Sequence, residues 1–319
     1  ESQAKGVALV IPPLLALFCM GGIAEWATII VIIVTLFIAI FALLDTGRYP
    51  SKAMLMAAIV ILSTMALVCL PLPLSVHALV QPKAAILTGP SLGLIETEWQ
   101  PLALRPRRAL IGFAFWASIL LYGWACGAHF SRARRLDYSA KCLLIGISIF
   151  CGLGLLQKWS HAQSIYWISG IPAFAREPFF GTLVNPNHAG AILASILPLC
   201  FAVENRWWSI SIAPIVIVSL LLTGSRGGLL AGAVSVGLYG LISQKGLLKW
   251  LLLGATSIVI LAILSLNFSQ VGPSGDPLGE WTSHRLDIWV DAIKLIDIAP
   301  LFGIGNGGFV DAYASITVS

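Results

Sequence analysis

The sequence predicts an all-α polytopic integral membrane protein, and three observations carry that expectation. Of 319 residues, 58% are hydrophobic and only 10% charged, where a soluble domain carries roughly 25% charged residues. The apolar residues form nine continuous runs rather than the alternation of a membrane β-barrel. Alternate connections between those runs carry an excess of lysine and arginine over acidic residues, the sense the positive-inside rule gives.

The runs lie at about 6–22, 24–44, 53–74, 109–130, 140–157, 187–203, 208–223, 227–243 and 248–267. About 20 residues cross a bilayer as helix, so about nine transmembrane helices are expected. Pro12 and Pro13 should kink the first, and the first two runs can instead form a short hairpin. With the N-terminus inside, inner segments hold ten of the nineteen lysines and arginines but only four of the fourteen acidic residues. SRARRLDYSAK, between runs four and five, is the clearest inner loop. Trp26, Trp159, Trp207, Trp208 and Trp250 fall near span ends, where amphipathic rings favour the interface.

This orientation places the long segments outside. The expected organisation is a transmembrane bundle over 1–267, with outer loops 75–108 and 158–186, followed by an outer segment 268–319. The first loop ends on Arg105, Arg107 and Arg108: a headgroup or acceptor contact, or simply solvated arginines. The second is rich in aromatics, including Trp159, Tyr166, Trp167, Phe179 and Phe180. It can lie in the interface or pack on the bundle. In the last segment PSGDPLGE reads as a turn-rich linker. LDIWVDAIKLIDIAP then spaces Ile288, Trp289, Ala292, Ile293, Leu295 and Ile296 as an amphipathic helix that Pro300 ends. FGIGNGGF follows a helix, not the strand that a phosphate-binding glycine loop needs.

Several chemistries have no support. The six cysteines lie in or beside apolar runs without a CxxC pair, so they read as small packing residues, not a disulfide framework or metal cluster. No DxD, HExxH or Walker motif occurs, so neither a metal nor another cofactor is expected. Ionisable residues are scarce inside the runs, which weighs against an ion-coupled transporter.

Three stretches can carry chemistry. In GTLVNPNHAG, Gly181 to Gly190, Asn187 is expected to cap the sixth span. With His188 in the first turn, that positive helix end can also receive an anionic headgroup. In TGSRGG, Thr223 to Gly228, Arg226 stands at the end of a span. A cation there must reach water, headgroups or an anionic ligand, so the stretch is either a tight turn with a snorkelled arginine or a ligand contact. In SHRLDIW, Arg285 opens the amphipathic helix, with Asp287 and Asp291 within pairing reach. Two guanidiniums from separated segments can neutralise a diphosphate through bidentate bonds.

NPNHAG opening a span, then LLLTGSRGGLLAG, then HRLDIWVDAIKLIDIAPLFGIGNGGF resembles the O-antigen ligase and polymerase superfamily over about 180–310. The first 150 residues share only hydrophobic spans with it. The resemblance implies a bacterial inner-membrane glycosyltransferase of the C-type architecture that is metal-independent and inverting. It implies transfer of a glycan, on the periplasmic face, from undecaprenyl diphosphate to an acceptor hydroxyl. The acceptor is a lipid A core sugar in the ligase branch, which we favour, or another lipid-linked repeat in the polymerase branch; a related branch glycosylates protein. Arg226 and Arg285 take the positions of the family's two important arginines, with Asn187 and His188 expected to line the approach. Membrane lipids are the other expected partners, and nucleic acid is not. The family's catalytic histidine lies in a later segment, expected beyond Ser319, and neither His188 nor His284 takes its place. A lipid or solute transporter and a structural scaffold are the rival classes.

Overall fold

A computed structural model describes residues 6–317 apart from 48–49, 82, 84–97, 131–132, 169–178, 244–245, 247–248, 252, 255 and 261–284. The PSGDPLGE linker and His284 therefore lie outside the described residues, as do most of loop 75–108 and parts of loop 158–186 and of the ninth run. The protein is an all-α polytopic membrane protein. Among the described residues, five helices are long and apolar enough to cross a membrane: Glu25–Thr46, Lys52–Cys69, Pro106–His129, Leu136–Trp159 and Arg226–Ser243. Shorter apolar helices cover Gly6–Phe18, Pro186–Ala202, Ile210–Leu222 and Lys249–Ile260. Every apolar run of the sequence is thus represented by a helix. Seventeen residues of helix span about 25 Å, slightly less than the ~30 Å hydrocarbon core.

The chain divides into two compact units, one of residues 1–46 and 125–271, the other of 47–124 and 272–319. In the first unit, α1 (Ile11–Phe18) and α2 (Glu25–Thr46) form a hairpin. Gly21 and Gly22 turn it with φ of 68° and 72°, values that cost a side-chain-bearing residue more. Along α2, Ile29, Ile33, Phe37, Phe41 and Leu44 form an exposed apolar stripe. Large apolar side chains facing outward at helical spacing are what a bilayer solvent permits. The helix α3 (Lys52–Cys69), the short α4 (Leu74–Val80) and α5 (Pro106–His129) follow in chain order.

The long helix α6 (Ala133–Trp159) then packs with α7 (Pro186–Ala202), α8 (Arg206–Leu222) and α9 (Arg226–Ser243). Leu144, Ile147, Phe150, Leu193, Val216 and Leu220 form its core. Close approach depends on missing Cβ atoms: one at Gly154 would meet Phe180, and one at Gly181 would meet Phe150. The loop aromatics Phe179 and Phe180 are buried, whereas Trp159 and Trp167 are exposed. The described part of loop 158–186 thus packs on the bundle and leaves two indoles outside.

Hydrogen bonds sort the helix ends of this unit. Thr182 Oγ1 donates to the Leu17 carbonyl and Tyr166 Oη to the Phe18 carbonyl, so the end of α1 meets the approach to α7. At the opposite end the Glu204 amide donates to Asp137 Oδ1, and Asp137 pairs with Lys141 one turn along α6. The start of α6, next to the basic loop, therefore sits with the end of α7, as the expected alternation of spans requires.

In the second unit, β1 (Pro71–Pro73) pairs antiparallel with β2 (Trp99–Pro101), with Leu72 opposite Gln100. Ser51 caps α3 by accepting from the Met54 amide. Two further helices are α10 (Arg285–Ile298) and α11 (Phe309–Thr317). Leu295, Ile298 and Ala312 join them in a small core. Ile288, Trp289, Val290, Ile293 and Ile296 of α10 are exposed, so the expected apolar face is divided between a buried edge and an outward stripe. The glycine-rich FGIGNGGF loop has a packing reason. A Cβ on Gly305 would lie 2.5 Å from Ala103 Cβ, and one on Gly307 would lie 2.9 Å from Arg108 Cβ. Leu104 donates its amide to the Ile304 carbonyl, and buried Gln81 donates Nε2 to the Gly303 carbonyl.

Candidate functional site

Two of the three chemistry-bearing stretches meet in the first unit. The sequence Asn185-Pro186 starts α7: Pro186 occupies the first turn, where a missing N–H costs nothing. The expected capping role of Asn187 is corrected here. Asn185 is the cap, its Oδ1 accepting from the Asn187 amide at 2.9 Å. Pro186 fixes that register, because it favours the first helical position and so leaves the cap to the residue before it. Asn187 is thereby released for another contact. Its Oδ1 accepts from Ser225 Oγ at 2.9 Å.

Ser225 is the N-cap of α9. The Gly228 amide donates to Ser225 Oγ at 3.0 Å, and the Ser225 amide donates to Thr223 Oγ1 at 3.2 Å. Gly224, with φ of 69°, makes the reversal from α8. The one hydroxyl of Ser225 therefore starts α9 as acceptor and ties it to the start of α7 as donor. Sequence reasoning passed over this residue, although a serine three positions before a first-turn glycine amide is an N-cap signal.

Helices α7 and α9 run parallel and nearly in contact. A Cβ on Gly228 would lie 2.7 Å from Gly190 Cα, and one on Gly190 would lie 2.7 Å from Ser225 Cβ. Further along, Ser235 Oγ donates to the Ala194 carbonyl and Tyr239 Oη to the Phe201 carbonyl at 2.7 Å. Small residues let helix backbones approach in this way. The pairs Asn187–Ser225 and Phe201–Tyr239 share a separation of 38 residues. The same offset matches His188 with Arg226. Both lie in the first turn of their helices and both are exposed, whereas Ser225 is buried. Two positive helix ends, an imidazole and a guanidinium thus share one end of the unit, an arrangement suited to an anion.

Arg285 is the first residue of α10, in the second unit. Its side chain lies outside the described residues, as does that of Asp287. Asp291 accepts from Lys294 Nζ at 2.8 Å. Of the three arginines before α5, Arg105 is held by Asp311 in two parallel bonds of 2.7 and 2.8 Å. This bidentate pair joins the chain before α5 to α11. The Arg105 guanidinium holds the Asp311 carboxyl below the usual carboxylate range, assisted by the charge of Arg108.

Among the described residues, no group of three or more His, Cys, Asp or Glu side chains could hold a metal ion. All six cysteines are free thiols. The chemistry on offer is that of fixed cations and helix ends.

No curated protein and no solved structure matches the chain. A family model described as O-antigen ligase matches residues 211–318. That segment holds Ser225, Arg226 and Arg285. Residues of that segment meet the start of α7 through the Ser225–Asn187 bond. Over residues 211–318 the chain is similar to the O-antigen ligase family.

Proposed function

We propose that the protein transfers a glycan from undecaprenyl diphosphate to a sugar of the lipid A core, on the periplasmic face of the bacterial inner membrane. The observation that carries this reading is the exposed Arg226, fixed in the first turn of α9 by the Ser225–Asn187 bond. In the proposed reaction an acceptor hydroxyl oxygen attacks the anomeric carbon from the side opposite the diphosphate. The bond from that carbon to the phosphate oxygen breaks, and its electron pair leaves with the lipid diphosphate. The anomeric centre is inverted, and the hydroxyl proton passes to a base, which the family resemblance assigns to a histidine of a later segment.

Arg226 neutralises the charge that develops on the leaving diphosphate, together with Arg285 from the second unit. Asn187 and His188 line the approach. Pre-set donors of this kind stabilise developing charge without reorganising during the reaction. The two arginines require no metal for that task, because a guanidinium matches phosphate oxygens bidentately.

The experiment is transfer by the purified full-length protein, given a lipid-diphosphate glycan, lipid A core and a chelator, with no energy source. Product is expected. Absence of product with core, but product when a second lipid-linked repeat is supplied, would move the assignment to a polymerase. Movement of the lipid across a vesicle without transfer would favour a transporter.

A further inference from the structure

The second unit holds a cavity of about 470 Å³ between α3, the start of α5 and the glycine-rich loop. That size falls among ligand pockets, which run about 300–1,000 Å³. Its wall carries the apolar side chains of Met65, Val68, Ala109, Leu301, Phe302 and Ile304. Met65 and Val68 stand in the last two turns of α3, and Ala109 in the first turn of α5. Both helices are long and apolar enough to cross a membrane. The cavity therefore lies where one span ends and the next begins. Thr64 and Leu301, on its edge, are exposed, as are Val60 and Ile61 one turn earlier on α3. On the outer face of a spanning helix the solvent is lipid.

The polar groups of the wall are already paired within the protein. Thr64 Oγ1 donates to the Val60 and Ile61 carbonyls. The Val68 and Ile304 carbonyls accept from the Ala103 and Leu104 amides, and the Gly305 carbonyl accepts from the Gly308 amide. The Gly303 carbonyl accepts from Gln81 Nε2. With these bonds made, the interior offers a ligand chiefly apolar contact. A sugar or nucleotide placed there would leave its own polar groups unpaired, at a cost, whereas a hydrocarbon chain would not.

The side chains that can meet a headgroup stand at the rim. Asn306 and Arg108 are both exposed. The Asn306 side chain lies over Gly112, one turn along α5 from Ala109, and the stem of Arg108 lies along Gly307, where an added Cβ would fall 2.9 Å from Arg108 Cβ and 3.1 Å from its Cδ. Of the neighbouring cations, Arg105 is already held by Asp311. Arg107 precedes Ala109 by two positions, about 200° round the helix, and so points away from the cavity. Arg108 remains to meet a ligand's charge. One guanidinium balances the single charge of a phosphodiester, and pairs with its oxygens bidentately.

We propose that this cavity seats an acyl chain of an anionic glycerophospholipid, whose phosphodiester is held by Arg108 with Asn306 beside it. The proposal stands apart from the transfer reaction, and its test measures lipid binding alone.

The experiment titrates the purified full-length protein in detergent with palmitoyl-oleoyl phosphatidylglycerol, or with phosphatidylcholine of the same chains, and follows the unfolding temperature. A ligand of the folded state raises that temperature in proportion to its occupancy, and phosphatidylglycerol is expected to act at the lower concentration. Arg108→Gln, which removes the charge, should weaken phosphatidylglycerol about tenfold, the scale of one charge-assisted hydrogen bond. Arg107→Gln should leave its binding in place. Thr64→Phe, which adds bulk at the exposed edge of the cavity, should weaken both lipids and serves if Arg108→Gln does not fold. Equal responses to the two lipids, or a phosphatidylglycerol response unchanged in either folded variant, would overturn the proposal. So would the same stabilisation by millimolar inorganic phosphate, which would mark a headgroup site without a chain. Displacement of phosphatidylglycerol by equimolar undecaprenyl phosphate would assign the cavity to an isoprenoid and overturn it as well.

Discussion

Ser225 Oγ donates a 2.9 Å hydrogen bond to Asn187 Oδ1 and at the same time accepts from the amide of Gly228. One buried hydroxyl thus sets the start of α9 against the start of α7, and with it the position of Arg226. Ser225→Ala removes both bonds. Loss of an N-cap costs about 1 kcal/mol. Because Asn187 and Ser225 are in contact, their alanine substitutions should be non-additive by about 0.5–3 kcal/mol. A double-mutant cycle on thermal unfolding in detergent checks this; strict additivity would show that the bond contributes nothing.

Gly228→Ala tests the close approach of α7 and α9. The added carbon falls 2.7 Å from Gly190 Cα and 2.9 Å from the Gly190 carbonyl carbon. The obstacle is backbone and cannot rotate away. Overpacking of this kind costs about 1–3 kcal/mol, so the variant should unfold at lower temperature. Gly227→Ala is the matched control, since its Cβ would meet nothing within 4 Å.

The Arg105–Asp311 pair yields a pH prediction. The Asp311 carboxyl is held below its ordinary range chiefly by the hydrogen bond from Arg105. A lowered acid contributes stability that is present above its unfolded value, near pH 4, and is lost as pH falls through the folded value. Asp311→Asn should therefore lower the unfolding temperature slightly at neutral pH, and the two proteins should converge under acid conditions. Since both side chains are largely exposed, salt should shrink the difference.

The proposed reaction requires residues 226 and 285 to face the periplasm. In a variant lacking the six native cysteines, Arg226→Cys and Arg285→Cys should each react with a membrane-impermeant maleimide in intact spheroplasts. Labelling of either position only after lysis would separate the two arginines and exclude their joint action on one diphosphate.

Much of this architecture was legible in the sequence, and the residues show where legibility stops. Hydropathy alone located every apolar helix, because the bilayer demands long apolar runs. The two helix starts at NPNHAG and TGSRGG were also legible, since proline, asparagine, serine and glycine are local signals. The cap was misplaced by two residues: both asparagines of Asn185-Pro186-Asn187 are good caps, and the preference of Pro186 for the first turn decides for Asn185. The Ser225–Asn187 bond was not legible, for it joins side chains 38 residues apart. Nor was the packing of Gly305 on Ala103, which gives the glycine-rich loop its reason. The cavity beside that loop was hidden for the same cause, because it belongs to the folded chain.

The central claim is that Arg226 stabilises the departing lipid diphosphate. The most direct measurement is the transfer rate of purified Arg226→Ala, with folding verified by its unfolding temperature. A fall of about 100-fold or more is predicted, the scale for losing one pre-set donor to a developing oxyanion, with Arg226→Lys recovering only part because it lacks the planar fork. Transfer by folded Arg226→Ala at the parental rate would contradict the account.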